Sequence, residues 1–160
     1  MKTMADPMDA LRSMQQALID GTPLYLGNVG GDYQGRLDQY PNGDRRYLFA
    51  KIVNGKAIAL VIFATEESIN GVDCYSVGYA VDEKYRRRGL AVEAFQTGVV
   101  ELVKELRKTG LKRFYVDAVI DVTNEPSIKF AQKLFAEPGQ KIHERESERP
   151  ALHFKRLVSI

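Results

Sequence analysis

Residues 79–94 read YAVDEKYRRRGLAVEA, and this stretch decides the fold. A strand-like end at Tyr79-Ala80-Val81 passes through a polar turn into Arg86-Arg87-Arg88-Gly89, and an amphipathic helix follows. That order gathers free backbone amides, a helix amino end and fixed positive charge around one small volume. Such a volume suits a diphosphate better than a carboxylate or a metal. Gly89 lets the backbone approach a ligand closely, and Ala91 keeps the next helical position small. The phosphate-loop pattern and the dinucleotide fingerprint are both excluded, because each needs glycines that are absent here. Basic triplets also begin ordinary surface helices. Three arginines at a positive helix end nevertheless sit unfavourably unless an anion joins them.

Working outward, 73–81 reads as the strand that feeds this turn, preceded by a polar loop holding Asn70-Gly71. Residues 47–53 and 57–64 read as two strands joined by Asn54-Gly55, a strong hairpin signal. Downstream, 89–106 carries Leu90, Ala94, Val99, Leu102, Val103 and Leu106 at helical spacing, as a helix covering a sheet does. The chain reverses near Gly110. Residues 114–120 have the apolar density of a buried strand, with Asp117 as a polar exception, and 124–135 read as a second covering helix. Pro138 and Gly139 break it, and 151–158 predict a final strand. At the other end, Asp6-Pro7 starts a helix whose stripe is Leu11, Met14, Ala17 and Leu18 and which Gly21 ends. Between them 22–44 looks irregular, interrupted by Gly27, Gly30, Gly31, Gly35 and Gly43, and it holds Tyr25, Tyr33 and Tyr40 as pocket or packing residues. Strands first, then helix, strand, helix and strand, predict an α/β (or α+β) protein: one domain over 1–160, a mixed central sheet flanked by helices.

The 160 residues carry a net charge of +2, with 44% apolar and 28% charged residues, which is ordinary for a globular chain. The basic residues matter through their clustering, and the balance does not point to nucleic acid. Cys74 is the only cysteine and His143 and His153 the only histidines, so neither an intrachain disulfide nor a paired zinc motif can be written, and no metal is expected. No apolar run approaches the ~18 residues of a membrane span, and the amino end lacks a secretory core. A cytoplasmic protein with no membrane partner is the expectation.

The segment Arg86-x-x-Gly89-x-Ala91 resembles the signature of the GNAT acetyltransferase superfamily, Arg/Gln-x-x-Gly-x-Gly/Ala between its fourth strand and third helix. One strand further on, Asn124-Glu125-Pro126-Ser127, continuing to Lys133-Leu134-Phe135, resembles the family's fourth-helix motif in the correct order. The likeness covers 57–135 and extends more weakly to the last strand and the first third. It implies a GNAT fold and acetyl-CoA as donor, with CoA as product. Diphosphate would be held by amides from Arg87 through Gly89 and Leu90 to Ala91, and pantetheine would pair with exposed backbone near Tyr79 and Val81. Arg86 and Arg88 would bind phosphate or brace the local loop. Asn124 and Ser127 would lie near the pantetheine arm, although as residues they serve equally as helix cap and local hydrogen-bond groups.

Direct transfer from a thioester needs a neutral amine, carbonyl polarisation and protonation of the leaving thiolate. Many family members carry a tyrosine acid seven positions after the asparagine, and here that position is Ala131. Ser127 is the replacement, since in the branch resembling ribosomal-protein amino-terminal acetyltransferases the matching serine reprotonates CoA. A glutamate common on the fourth strand is replaced by Tyr75, the second catalytic candidate through substrate orientation or a water relay. Tyr115 and Asp117 are further pocket candidates, of which only one strand parity can face a given pocket. Cys74 lacks an activating partner and reads as packing. His143 and His153 read as surface or strand residues that become bases only if folded into the cleft. Glu144, Glu146 and Glu148 read as a solvated loop, or as attraction for a cationic acceptor. The resemblance implies an N-acetyltransferase acting on an amine-bearing small molecule or a peptide terminus, and homodimers are common among such relatives. The competing expectations are a non-catalytic acyl-CoA-binding regulator and an RNA-directed aminoacyl acetyltransferase.

Overall fold

The structure is a computed structural model that describes residues 6–23, 27–144 and 147–160; Tyr25 and Glu146 lie outside them. Helix α1 (Pro7–Asp20) forms as its caps dictate. The Asp6 carboxylate accepts the Met8 amide at 3.0 Å, and Gly21 closes the helix with φ of 69°. Strands β1 (Gly27–Gly30), β2 (Tyr33–Gln39), β3 (Arg45–Val53), β4 (Lys56–Ile69) and β5 (Val72–Val81) then run as an antiparallel meander. After a short 3-10 turn at Glu83–Tyr85 come α2 (Leu90–Arg107), β6 (Arg113–Asp121), α3 (Glu125–Leu134), β7 (Gln140–His143) and β8 (Pro150–Ser159). The strands form one mixed sheet in the order β1-β2-β3-β4-β5-β6-β8-β7, with β5 and β6 parallel and every other neighbour antiparallel.

The expected mixed sheet flanked by helices is therefore present, with three differences in detail. Residues 27–39 are not irregular but a hairpin at the sheet edge. Its tight turn uses Gly31 at φ of 54°, and Gly35 lies flat under the Phe49 ring, where an added Cβ would stand 3.1 Å from that ring. The short β7 was hidden by the breakers before it. Gly139 is there because a Cβ would meet Phe154 at 2.8 Å, not because the chain stays irregular. The polar stretch Thr65–Ile69 extends β4 beyond its apolar core, and Asn70-Gly71 is a two-residue hairpin turn with φ of 51° and 75°, matching Asn54-Gly55.

Helices cover both faces. On one, α2 and α3 bury Phe49, Phe63, Phe95, Phe114 and Phe154. On the other, α1 sets Leu11 and Met14 against Leu48, Leu60, Ile62 and Ala80. Alpha1 is further fixed by Gln15, whose Nε2 donates at 2.8 Å to both the Ala57 carbonyl and the Asp82 carboxylate. Among the described residues its principal contacts are with β4 and β5. Among the described residues no helix is long and apolar enough to cross a membrane.

Alpha2 lies close to the sheet because residue 98 is glycine. A Cβ there would stand 2.6 Å from Val61 Cγ1 and 2.8 Å from Phe63 Cε2. Helix propensity favours Ala over Gly by about 1 kcal/mol, whereas overpacking costs typically about 1–3 kcal/mol. With contacts this short the steric effect outweighs the propensity gain, so Gly98→Ala is expected to destabilise by up to about 2 kcal/mol in a urea titration. A neutral or stabilised variant would mean that α2 can lift from the sheet.

Candidate active site

The turn between β5 and α2 has the backbone of an anion cradle. Arg86 is extended (φ −66°, ψ 160°), Arg87 takes φ of 64° and Gly89 φ of 73°, so alternating hands turn successive amides towards one side. The first helical bond runs from the Glu93 amide to the Gly89 carbonyl, and no side chain caps the helix. The amides ahead of Glu93 are thus left for a ligand or solvent. Nothing lies within 4 Å of a Cβ built at Gly89, so the space above the turn is open. Arg86 Nε donates to the Val81 carbonyl at 3.2 Å and ties the loop to the end of β5.

A cavity of about 470 Å³ opens at this turn, lined by Tyr79, Val81, Arg86, Arg87, Gly89, Leu90 and Ala91 from the β5–α2 side and by Pro126, Phe130 and Lys133 from α3. Arg88 does not line it; its guanidinium lies 5.2 Å from the Tyr85 ring centre. Tyr79 and Phe130, with ring centres 4.1 Å apart, also line a second cavity of about 790 Å³, so the two meet at this ring pair.

The larger cavity exists because the sheet parts. Beta5 and β6 pair only through Cys74–Tyr115, Tyr75–Val116 and Ser76–Asp117, after which Val77–Val81 and Ala118–Asp121 diverge. The gap is walled by Ser76 to Tyr79 on one side and Asp117 to Ile120 on the other. From α3 come Ser127, Phe130, Ala131 and Leu134, an apolar wall with one hydroxyl. The opposite mouth is polar, with Tyr40, Arg46, Glu66 and Glu144. Arg46 is already engaged by Asp38 at 2.8 Å.

Seven of the expected cofactor residues thus meet at the smaller cavity, and Ser127 joins Tyr79 at the larger one. Asn124 lines neither; its Oδ1 accepts the Ser127 amide at 3.4 Å and caps α3. Tyr75 is a correction. It is 7% exposed, sits edge-on to Tyr47 and Phe114 with ring centres 5.9 Å from each, and does not line the cavity. Burial pushes its hydroxyl up to about 12, with Tyr47 and Asp73 adding to the shift. The physical reason is position along the strand: Tyr75 pairs with Val116 in the closed rungs below the parting, under Tyr47 and Phe114, whereas Val77 on the same face lines the gap. Cys74 is buried, and burial, then the Asp117 charge, pushes its thiol far above the ordinary range, which suits packing and not a nucleophile.

The fold also sorts the residues raised from sequence and adds Ser76, which sequence reasoning passed over. Asp117, 3% exposed, borders the parting of the strands, whereas Tyr115 does not. Its Oδ1 accepts the Ser76 hydroxyl at 2.5 Å, and its Oδ2 lies 2.8 Å from His153 Nε2. The signal for Ser76 was its even spacing from Cys74, and His153, raised from sequence only as a base on condition of folding into the cleft, is brought there by β8.

The family model described as Acetyltransferase (GNAT) family matches residues 13–136. Among solved structures, the ribosomal-protein-S5-alanine acetyltransferase from Vibrio fischeri is similar at 16% identity and a TM-score of 0.51, over 81% of this chain and 94% of that one. RimL, a ribosomal L7/L12 α-N-protein acetyltransferase, is similar at 18% identity and a TM-score of 0.50, over 73% and 71%. The GNAT domain of S. lividans PAT aligns at 19% identity and a TM-score of 0.48 over 69% of this chain, which spans 61% of that relative's length. At these identities the likeness is one of fold. No curated protein sequence matches the chain.

Proposed function

The chain belongs to the GNAT acetyltransferase family, and from that premise we propose that residues 1–160, as one domain, move an acetyl group directly from acetyl-CoA to a primary amine. The observation that carries this reading is the continuity of the cleft: it begins at the amide cradle of Arg87 to Ala91, passes Tyr79 and Phe130, and ends where β5 and β6 part. The cradle fits a diphosphate, since Gly89 leaves it open and the α2 amino end adds favourable potential. The freed edge of β5 fits an amide-bearing pantetheine arm, and the apolar α3 wall fits a thioester. Acetyl-CoA supplies an activated acyl group; the protein aligns it, excludes water and handles protons. Ser127, at the amino end of α3 and on the cavity wall, serves as hydrogen-bond donor to the departing thiolate.

The acceptor is an amine-bearing small molecule or a peptide terminus. Glu66 and Glu144 at the polar mouth favour a cationic molecule over an anionic one. The same reading includes a cytoplasmic setting and a homodimer. A second reading, a non-catalytic acyl-CoA-binding regulator, draws on Ala131, whose methyl group lines the cavity where many relatives carry an acid.

The deciding experiment incubates the protein with acetyl-CoA and a pool of alkylamines, lysine and amino-terminal tetrapeptides, with acetylated products read by mass spectrometry. Acetyl-CoA binding without any product favours the regulator. Ser127→Ala is expected to lower turnover roughly tenfold to hundredfold, the loss of one hydrogen bond to a developing charge at about 1.5–3 kcal/mol, with CoA affinity unchanged. Unchanged turnover removes Ser127 from the mechanism.

A further inference from the structure

Three side chains from three strands meet just below the parting of the sheet. Asp117 on β6 is 3% exposed, yet it borders the larger cavity. Ser76 on β5, its partner in the last rung before the strands diverge, donates to Oδ1 at 2.5 Å. His153 on β8 reaches Oδ2 at 2.8 Å, and its side chain keeps 19% exposure. Taking a carboxylate out of water costs several kcal/mol unless it is paired and hydrogen-bonded, and an apolar residue would serve the sheet better. Val116 and Ala118, the neighbours of Asp117 on the opposite face, are such residues. Ser76 and His153 offset that cost, and they hold the carboxylate in the one place where the strands separate and a substrate has access.

We infer that Asp117, held by Ser76 and His153, takes the proton from the incoming acceptor's ammonium, and that His153 passes it on to solvent. The inference rests on the acetyl-transfer reading above and names the base that Tyr75 does not supply. A primary amine is mostly protonated at neutral pH, with pKa near 10.4 for a lysine and about 7.7–8.0 for an amino terminus, and the ammonium has no lone pair to attack with. Asp117 removes one proton. The freed lone pair forms the C–N bond as the C–S bond breaks, and the second nitrogen proton goes to the leaving thiolate beside Ser127. One acetylated amine, one CoA thiol and one proton to solvent balance the reaction. Ser76 aims Oδ1 and is a positioning residue. His153 is the only one of the three with both a titratable ring and a path to water.

The charged and titratable groups on this face include the Asp38–Arg46 pair of β2 and β3, Glu66 of β4, Cys74 of β5, Tyr115 and Asp121 of β6 itself and Lys155, the register partner of Asp117 on β8, with Glu144 also lining the cavity. Glu66 and Glu144 lie nearer the opening and attract the cation; Asp117 is the carboxylate at the parting itself. Cys74 stays a neutral thiol.

The test measures kcat/KM against pH for wild type, Asp117→Asn and His153→Gln, using acetyl-CoA and whichever member of the pool of alkylamines, lysine and tetrapeptides wild type acetylates fastest. Asp117→Asn is expected to lose about 100-fold or more at pH 7, with acetyl-CoA affinity within about twofold. The deficit should shrink about tenfold per pH unit as the solution itself supplies neutral amine, up to the pKa of the acceptor. His153→Gln should lose roughly tenfold and shift in the same direction. A profile for Asp117→Asn that runs parallel to wild type at every pH, or full activity at pH 7, overturns the inference while leaving acetyl transfer intact. If circular dichroism shows that Asp117→Asn does not fold, the His153→Gln profile decides by the same criterion. Absence of product with wild type, while calorimetry records acetyl-CoA binding, defeats the transfer reading and this inference with it.

Discussion

Replacing Gly89 by Val is expected to weaken CoA binding roughly 30- to 1000-fold, equivalent to about 2–4 kcal/mol, while the protein remains folded. Residue 89 holds φ of 73°, where an L side chain costs about 1–2 kcal/mol and a β-branched one is a rarer outlier still. No protein atom lies within 4 Å of the added Cβ, so the fold meets strain and not a collision. Two outcomes relieve the strain: the turn leaves the left-handed region and the amides of Gly89 to Ala91 lose their common aim, or the isopropyl group stands where the diphosphate would lie. Each lost amide bond to a charged oxygen is worth about 1.5–3 kcal/mol. Isothermal titration with CoA reads the loss, and the melting temperature should fall by no more than about 8 °C. Gly89→Asn separates the two causes. Asn tolerates the left-handed region, so it keeps the backbone while adding a side chain, and should lose less affinity than Val. A folded Gly89→Val protein that binds CoA normally would remove this turn from the diphosphate site.

The second large effect is on stability. Phe63 is fully buried on β4, with its ring centre 6.2 Å from those of Phe49 and Phe95. It is also one of the two side chains against which Gly98 lets α2 settle. Phe63→Ala is expected to cost about 3–5 kcal/mol, lost transfer energy plus the cavity that a rigid sheet cannot close. Against a typical stability of about 5–15 kcal/mol this is severe. At about 2–4 °C per kcal/mol for a chain of this size, the melting temperature should fall by about 6–20 °C. A urea titration should show a lower midpoint with unchanged slope. A loss below about 1 kcal/mol would mean that Phe49 and Phe95 collapse into the vacancy, and that α2 is not held at a fixed height above the sheet. Because the cradle amides begin α2, such slack would be felt at the donor site as well.

Much of the central fold was legible because its signals are local. Asn54-Gly55 demands a tight hairpin wherever it stands, Asp6-Pro7 and Asn124-Glu125-Pro126 start helices through caps within three residues, and the stripe from Leu90 to Leu106 needs only its own spacing. The edge hairpin of β1 and β2 was not legible. Its glycines look like breakers in one dimension, and only the Phe49 ring lying over Gly35 explains why the strand wants no side chain there. Beta7 was missed for a similar reason, since Gly139 answers to Phe154 on a neighbouring strand.

For the candidate site the division runs along the same line. The donor half lies within one segment: Arg86 to Ala91 are consecutive, and the left-handed turn, open amides and helix start that suit a diphosphate follow from that order by itself. The acceptor half is assembled from β4, β5, β6, β8 and α3. Sequence alone raised Asp117 and Tyr115 together and named Tyr75 but not Ser76, because alternation does not say at which rung the strands part. The packing of Phe114 and Tyr47 buries Tyr75 below the parting, while Ser76 and Asp117 form the last rung before it and border the cavity. His153 meets that carboxylate from 36 residues away, through a strand register that only the folded sheet supplies. Short-range backbone geometry encodes the family motif and the amide cradle proposed for the donor, so both can be read without the fold. The side chains proposed to meet the acceptor come together only in the folded sheet, because that contact depends on where the strands part.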